Sequence, residues 1–144
     1  MKKLILALSA GIFLFAGSGC SKDDKNNCAV TVANIAGTYK IQKVMYKLNA
    51  STAEVDYTST IFEACDLDDL YILNANGTST YQPAGVECTP PNSGDTDTWS
   101  LSGNTLTIGG ESYTIASFDC SNLVFTMSNY DVAGDLATFT LKKQ

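Results

Sequence analysis

Short runs of β-forming residues, separated by turn residues, cover the chain from residue 38 onward. Runs rich in Val, Ile, Thr, Tyr and Phe and bounded by Gly, Asn, Asp or Ser are typical of β-strands. The sequence shows no helical period in this region. We therefore predict about eight strands, at residues 38–47, 67–74, 78–83, 96–102, 104–109, 111–118, 122–128 and 135–142.

Most connections between these strands are short, which predicts consecutive hairpins. Asn76-Gly77 is the strongest of the turn signals. The two long connections, residues 49–66 and 84–95, would project from an end of the sheet, where partners can contact them. A meander of about eight strands closes naturally into an up-and-down antiparallel β-barrel, because closure removes the exposed edges. We expect this all-β barrel, with a β-sandwich as the alternative.

Four segments of this region carry a family resemblance. Residues 35–40 read IAGTYK, which is similar to the Gly-x-Trp signature of lipocalins, with Tyr39 at the Trp position. Residues 73–78, 98–108 and 138–143 follow in an order and spacing that resemble the lipocalin-like domains of many Bacteroidetes lipoproteins. The resemblance covers residues 35–143. It implies a lipocalin-like barrel domain over residues 35–144 and an apolar ligand, but no enzyme substrate.

The alternation of side chains along a strand assigns one face of each strand to the barrel interior. With Tyr39, Leu73 and Trp99 taken as inward-facing, the interior is apolar and bulky, and Met45 also faces inward. The candidate ligand-binding residues are Tyr39, Ile41, Tyr71, Leu73, Trp99, Leu101, Tyr113, Phe125 and Phe139.

An eight-stranded barrel is just wide enough to be filled by its own side chains or to hold one small ligand. Because the predicted strands are short, we expect the side chains to fill the interior. Trp99 is then a core residue rather than a ligand platform. Lys43 has the same parity as Ile41, so we expect a bulge that places its side chain outside.

The first twenty residues have the organisation of an export signal. Lys2 and Lys3 precede an apolar run at residues 4–16, and small residues lead to Cys20. The apolar run is too short to span a bilayer. The small residues before Cys20 resemble a bacterial lipobox, with Gly17 where a branched apolar residue is usual. We therefore predict a signal peptide at residues 1–19 and a diacylglycerol group on Cys20.

A polar segment follows Cys20 and contains no apolar residue up to Asn27. It predicts a flexible tether, which together with the lipidated cysteine we assign to residues 20–34. Residues 21–24, Ser-Lys-Asp-Asp, resemble the signal that sends Bacteroidetes lipoproteins to the cell surface. We expect attachment to the outer membrane through the acyl chains, palmitate for example, with surface display favoured over a periplasm-facing position.

The four remaining cysteines predict disulfides, because export places the chain where disulfides form. Cys65 and Cys88 are equidistant in sequence from Asn76-Gly77, so a two-residue hairpin loop would place them opposite each other. Cys28 and Cys120 then pair by exclusion. A metal site of four thiolates is the weaker alternative, because no CxxC spacing is present.

The composition excludes several function classes. The chain contains no His, which removes His-based acid–base catalysis and His metal sites. The net charge of −6 disfavours nucleic acid as a partner. Glu63, Asp66, Asp68 and Asp69 lack the EF-hand spacing and predict a solvated loop rather than a calcium site.

We therefore expect no catalytic residue, no cofactor and no metal. The leading hypothesis is a non-enzymatic lipoprotein that binds a small apolar ligand. The alternative is a side-chain-filled barrel that serves as a structural or protein/glycan interaction module at the cell surface.

Overall fold

The computed structural model describes residues 28–88 and 94–144, and the predicted signal peptide (1–19), Cys20 and residues 21–27 lie outside this part. No helix in the described part is both long and apolar enough to cross a membrane. The elements within the described residues are α1 Val32–Ile35, β1 Gly37–Lys47, β2 Val55–Asp56, α2 Thr58–Ile61, β3 Leu70–Leu73, β4 Thr78–Gln82, β5 Thr96–Ser102, β6 Thr105–Ile108, β7 Glu111–Phe118, β8 Asn122–Ser128 and β9 Leu136–Lys143.

A single antiparallel sheet closes on itself through β1. Residues 37–39 of β1 pair with β3, whereas residues 39–47 pair with β9. The other barrel strands pair in sequence order from β3 to β9, and β2 pairs only with residues 45–46 of β1. The predicted all-β, up-and-down barrel is confirmed, since one continuous sheet leaves no second layer for a sandwich.

A bulge in β1 reverses which side chains of its second half face the barrel interior. The pairing with β9 shifts between Ile41 and Lys43, so Lys43 lies outside the barrel, where its Nζ is 3.6 Å from Asp56 Oδ2. The predicted outward bulge position of Lys43 is confirmed. The inward position predicted for Met45 is wrong, because the extra residue turns the fully buried Val44 inward instead.

The β3–β4 hairpin has a loop of three residues rather than two. Leu73 pairs with Ser79, and the N–H of Asn74 donates to Thr78 O. Gly77 adopts a φ of 87°, which favours glycine and accommodates the wider loop. The predicted register is therefore wrong by one residue.

Both predicted disulfides are present in the structure. Cys65 and Cys88 have Cα atoms 5.3 Å apart and lie in the connections before β3 and after β4, so their pairing does not depend on the hairpin register. Cys28 and Cys120 are joined with Cα atoms 5.2 Å apart.

One end of the barrel is closed by α1 and by the β3–β4, β5–β6 and β7–β8 turns, and we call it the closed end. The other connections form the open end. Cys28 donates its N–H to Phe118 O at 2.8 Å. Residues 28–34, which the sequence analysis assigns to the tether, therefore belong to the folded domain. The helix they enter begins at the N-cap Thr31, whose side chain accepts from Asn34 N.

Tyr39 and Lys143 form the plug of the closed end. The buried Tyr39 hydroxyl donates to Ile35 O, and burial raises the pKa of Tyr39 to about 12. Lys143 Nζ donates to Asn34 O at 2.6 Å and lies 5.7 Å from the centre of the Tyr39 ring. Lys143 thus ties β9 to the end of α1 and covers the Tyr39 ring with a cation.

We expect Lys143→Met to lower the free energy of unfolding by about 1–3 kcal/mol, because Asn34 O loses its donor and the Tyr39 ring loses its cation. Equilibrium denaturation in urea measures this change. Lys142→Met is the matched control, since Lys142 is exposed on the same strand. Equal stability of the two variants would contradict a stabilising role for the plug.

Candidate ligand-binding site

A cavity of about 400 Å³ occupies the barrel interior and opens at the open end. Its wall is mostly apolar and contains five tyrosines. The lining residues are Tyr39, Ile41, Ile61, Phe62, Tyr71, Ile72, Leu73, Ser79, Thr80, Tyr81, Asp95, Asp97, Leu106, Ile108, Tyr113, Leu123, Phe125, Met127, Tyr130, Phe139 and Leu141.

The expectation that side chains fill the whole interior is wrong, and the path of β1 explains why. β1 separates from β3 after Tyr39, which leaves a gap in the sheet toward the open end. Helix α2 lies across this gap: Val44 N donates to Thr58 Oγ1 at 2.9 Å, and Tyr57 N donates to Val44 O. The wall that α2 provides through Ile61 and Phe62 is less compact than a strand pair, and a cavity remains.

Seven of the nine candidate residues lie in the cavity wall: Tyr39, Ile41, Tyr71, Leu73, Tyr113, Phe125 and Phe139. Trp99 and Leu101 are not among the lining residues. Both lie on β5 toward the closed end, where the Trp99 ring is buried and its Nε1 donates to Asn74 O at 2.7 Å. The prediction that Trp99 is a core residue rather than a ligand platform is confirmed, and its indole N–H has an acceptor.

Three rings form a continuous aromatic wall on β7, β8 and β9. The Phe125 ring centre lies 4.9 Å from that of Tyr113 and 5.3 Å from that of Phe139. Tyr130, in the β8–β9 connection, packs edge-on against Phe139 at 5.8 Å. Such a wall offers a large apolar contact area that is fixed before any ligand arrives.

The acids of the 62–69 connection accept hydrogen bonds from backbone groups of the long connections. Asp69 is 2% exposed and accepts hydrogen bonds from Ala84 N at 2.8 Å and from the Tyr81 hydroxyl. Asp66 accepts from Glu63 N, and Asp68 accepts from Val86 N. The prediction of a solvated loop is wrong for Asp69. Together with the Cys65–Cys88 disulfide, these bonds join the two long connections beside the cavity.

Glu63, Cys65 and Cys88 bring potential metal ligands within 4.8 Å of one another. The two sulfur atoms are bonded to each other and hence are not thiolates. The group is therefore a disulfide with a neighbouring carboxylate.

Asp135 holds the β8–β9 connection at the rim of the cavity. Burial favours the protonated carboxyl, but hydrogen bonds to the carboxylate outweigh it and keep the pKa of Asp135 below its ordinary value. The donors are Tyr130 N at 2.6 Å, the Tyr46 hydroxyl at 2.8 Å, and Asp131 N and Val132 N, each at 2.9 Å.

Sequence reasoning missed several wall residues as ligand contacts. The one-residue register error moved Ser79 and Tyr81 to the wrong face, and the corrected pairing of Tyr81 with Tyr71 turns both rings inward. Ile61 and Phe62 belong to a connection for which the sequence predicts no element. The adjacent apolar residues Ile61 and Phe62, at the end of Thr58–Ile61, are the sequence signal that could have identified a cover for the cavity.

Comparison with known proteins adds the family. The sequence model of the lipocalin-like domain matches residues 35–125, more than half of the chain. The chain belongs to the lipocalin-like domain family. No curated protein matches the sequence. The match begins at Ile35 and spans the closed-end plug residue Tyr39 and most of the cavity wall of this lipocalin-like domain.

We expect Asp135→Asn to lower the melting temperature of the lipocalin-like domain at neutral pH, because an amide cannot accept all four hydrogen bonds. The native pKa lies below the unfolded value of about 3.9, so the carboxylate stabilises the fold above that pH. This contribution is lost as the pH falls through the lowered native pKa. The difference in melting temperature between wild type and variant should therefore shrink in acid.

Thermal unfolding followed by circular dichroism at several pH values measures that difference. Asp131→Asn removes a neighbouring exposed charge but leaves the Asp135 hydrogen bonds in place, and serves as the control. A difference between wild type and Asp135→Asn that stays constant down to acid pH would contradict the role assigned to the carboxylate.

Proposed function

We propose that the protein is a non-enzymatic binding protein that holds a small apolar ligand in its barrel cavity. The observation that carries the proposal is the apolar cavity of about 400 Å³, which lies within the range of small-molecule sites. The lipocalin-like family is in general a non-enzymatic binding fold. The cavity also favours this function over the alternative of a side-chain-filled interaction module.

The wall chemistry supports ligand binding by area rather than by many hydrogen bonds. Phe125, Phe139 and Leu141 present apolar surface, and burial of such surface contributes about 25 cal/mol for each Å² removed from water. The tyrosine hydroxyls supply the few polar groups that orient a ligand. Because burial raises the pKa of Tyr71 to about 12, its hydroxyl is protonated at neutral pH and can donate.

We further propose that the protein is an outer-membrane lipoprotein, anchored through Cys20 and displayed at the cell surface. The lipobox-like residues before Cys20 and the Ser-Lys-Asp-Asp segment after it support this. Cys28, at the start of the described part of the chain, contacts the closed end through Phe118 and Cys120. Eight residue steps from Cys20 reach at most about 29 Å. The closed end would then lie near the membrane, and the cavity would open away from it.

We expect the neutral fluorophore N-phenyl-1-naphthylamine to bind with an increase in emission, because an apolar cavity excludes water from the dye. Ser79→Phe should weaken binding severalfold, since Ser79 lies in the cavity wall and the larger ring occupies the cavity. Fluorescence titration gives the Kd. Ser100→Phe, an outward position on β5, is the control. Equal Kd values in all three proteins would rule out the cavity as the binding site, provided that their melting temperatures show folded domains.

Cys20→Ala should give a product that lacks the diacylglyceryl mass and is not cleaved before residue 20. Mass spectrometry of the membrane fraction measures both. Replacement of Lys22, Asp23 and Asp24 by Ala is the companion variant, which should keep the lipid but lose labelling by a membrane-impermeant reagent on intact cells. A lipid-free wild-type protein would refute the anchor, and unchanged labelling of the companion would refute the display signal.

A further inference from the structure

The acidic side chains of the barrel are concentrated at its open end, where β1 also ends with Lys47. Within residues 28–88 and 94–144, Asp119 is the one acid in a closed-end turn. The remaining described acids belong to the open-end connections or to the strand segments next to them: Glu54, Asp56, Glu63, Asp66, Asp68, Asp69, Glu87, Asp95, Asp97, Glu111, Asp131 and Asp135.

Two of these acids, Asp95 and Asp97, belong to the cavity wall itself. Asp97 Oδ1 accepts a hydrogen bond from Thr98 N at 2.7 Å, and the other carboxylate oxygen lies beside Gly109 in the β6–β7 turn. Both residues are exposed, which places their carboxylates where the apolar cavity meets solvent.

No lysine of the described part lines the cavity. Lys40 and Lys142 are paired residues of β1 and β9 toward the closed end, and Lys143 is bound to Asn34 O in the plug. Lys43 lies outside the barrel against Asp56. The described wall therefore combines two carboxylates with apolar side chains and contains no cation.

Three wall tyrosines have raised pKa values, to which burial contributes most and neighbouring acids contribute further. Burial raises the pKa of Tyr71, and Asp69 and Asp66 raise it further. Tyr113 has a raised pKa through burial and then Glu111, and Tyr130 through burial and then Asp131. Acids of the 62–69 connection, of β7 and of the β8–β9 connection therefore lie near these three wall tyrosines.

We propose that the cavity selects apolar molecules that carry a protonated amine and rejects those that carry a carboxylate. The alkyl or aromatic body would occupy the apolar interior, and the ammonium group would remain at the mouth beside Asp95 and Asp97. This inference rests on the proposed function, because it names the chemical class of the ligand for the same cavity.

The position of these carboxylates favours binding of the amine and disfavours binding of the acid. An ammonium group at the mouth keeps part of its hydration and gains attraction from two carboxylates, whereas a carboxylate there is repelled by the same two groups. Low-dielectric walls that surround charges of one sign also concentrate counter-ions at the opening.

The cavity volume sets the size of the ligand body. Taking the roughly 30 Å³ that one water molecule occupies in the liquid as the volume of one non-hydrogen atom, a cavity of about 400 Å³ holds around a dozen such atoms. A ten-carbon chain with one polar group has this size. Decylamine, decanol and decanoate then form a series with the same ten-carbon skeleton and a cationic, neutral or anionic head group.

Titration calorimetry of the full chain at neutral pH and low ionic strength tests the inference with these three probes. We expect decylamine to bind about tenfold more tightly than decanoate, with decanol between them. The double variant Asp95→Asn/Asp97→Asn should reduce the preference for the amine by about two- to fivefold for each carboxylate removed. Higher salt should reduce it in the wild type as well.

Glu54→Gln is the matched control, because Glu54 is an exposed open-end acid outside the cavity wall. It should leave the preference for the amine unchanged. Decanoate bound as tightly as decylamine, or an equal loss of preference in Glu54→Gln, would overturn the inference while the proposed function stands. Failure of decanol and decylamine alike to bind would overturn the proposed function and, with it, this inference.

Discussion

The double pairing of β1 is the constraint on which the rest of the structure depends. Residues 37–39 pair with β3, and residues 39–47 pair with β9. The same strand therefore closes the barrel and leaves a gap in the sheet beyond Tyr39. Where β1 leaves β3, its edge pairs with β2 at residues 45–46, and α2 together with Ile61 and Phe62 lies across the remaining gap in the sheet. Both the closed end and the cavity follow from this one change of partner.

The two ends of the barrel are stabilised by different physics. The closed end depends on packed apolar side chains such as Ile35, Tyr39 and Phe118, together with the cation of Lys143. The open end depends on buried carboxylates, Asp69 and Asp135, which accept hydrogen bonds from backbone groups of the long connections. Carboxylates suit this task because one side chain can satisfy several loop N–H groups that a sheet ladder would otherwise have satisfied. The acidic character of the mouth accompanies this way of ordering loops.

The sequence predicts the eight barrel strands within a few residues, because each is a β-rich run with turn residues at both ends. It predicts seven residues of the cavity wall for the same reason, since alternation identifies one face of a strand. It fails at features that local pattern does not encode. The loop of three residues before Thr78 depends on tertiary hydrogen bonds from Trp99 to Gly77 and Asn74. Helix α2 is a single turn held by β1, and the cavity depends on how far β1 and β3 diverge, which is a property of the closed sheet rather than of either strand.

The Cys28–Cys120 disulfide decides how mechanical load enters the domain. A pull along the segment that precedes Cys28 is transferred at once to the β7–β8 turn, since the covalent bridge joins the two positions across 92 residues of sequence. Without it, the same pull would act on α1 and then on the short pairing of β1 with β3, and would separate these strands one residue pair at a time. With the disulfide, the load is shared between two points of the closed end, and the pairing of β1 with β3 carries less of it. A force applied to the N-terminal side of the domain can thus be borne without separation of the strands that enclose the cavity.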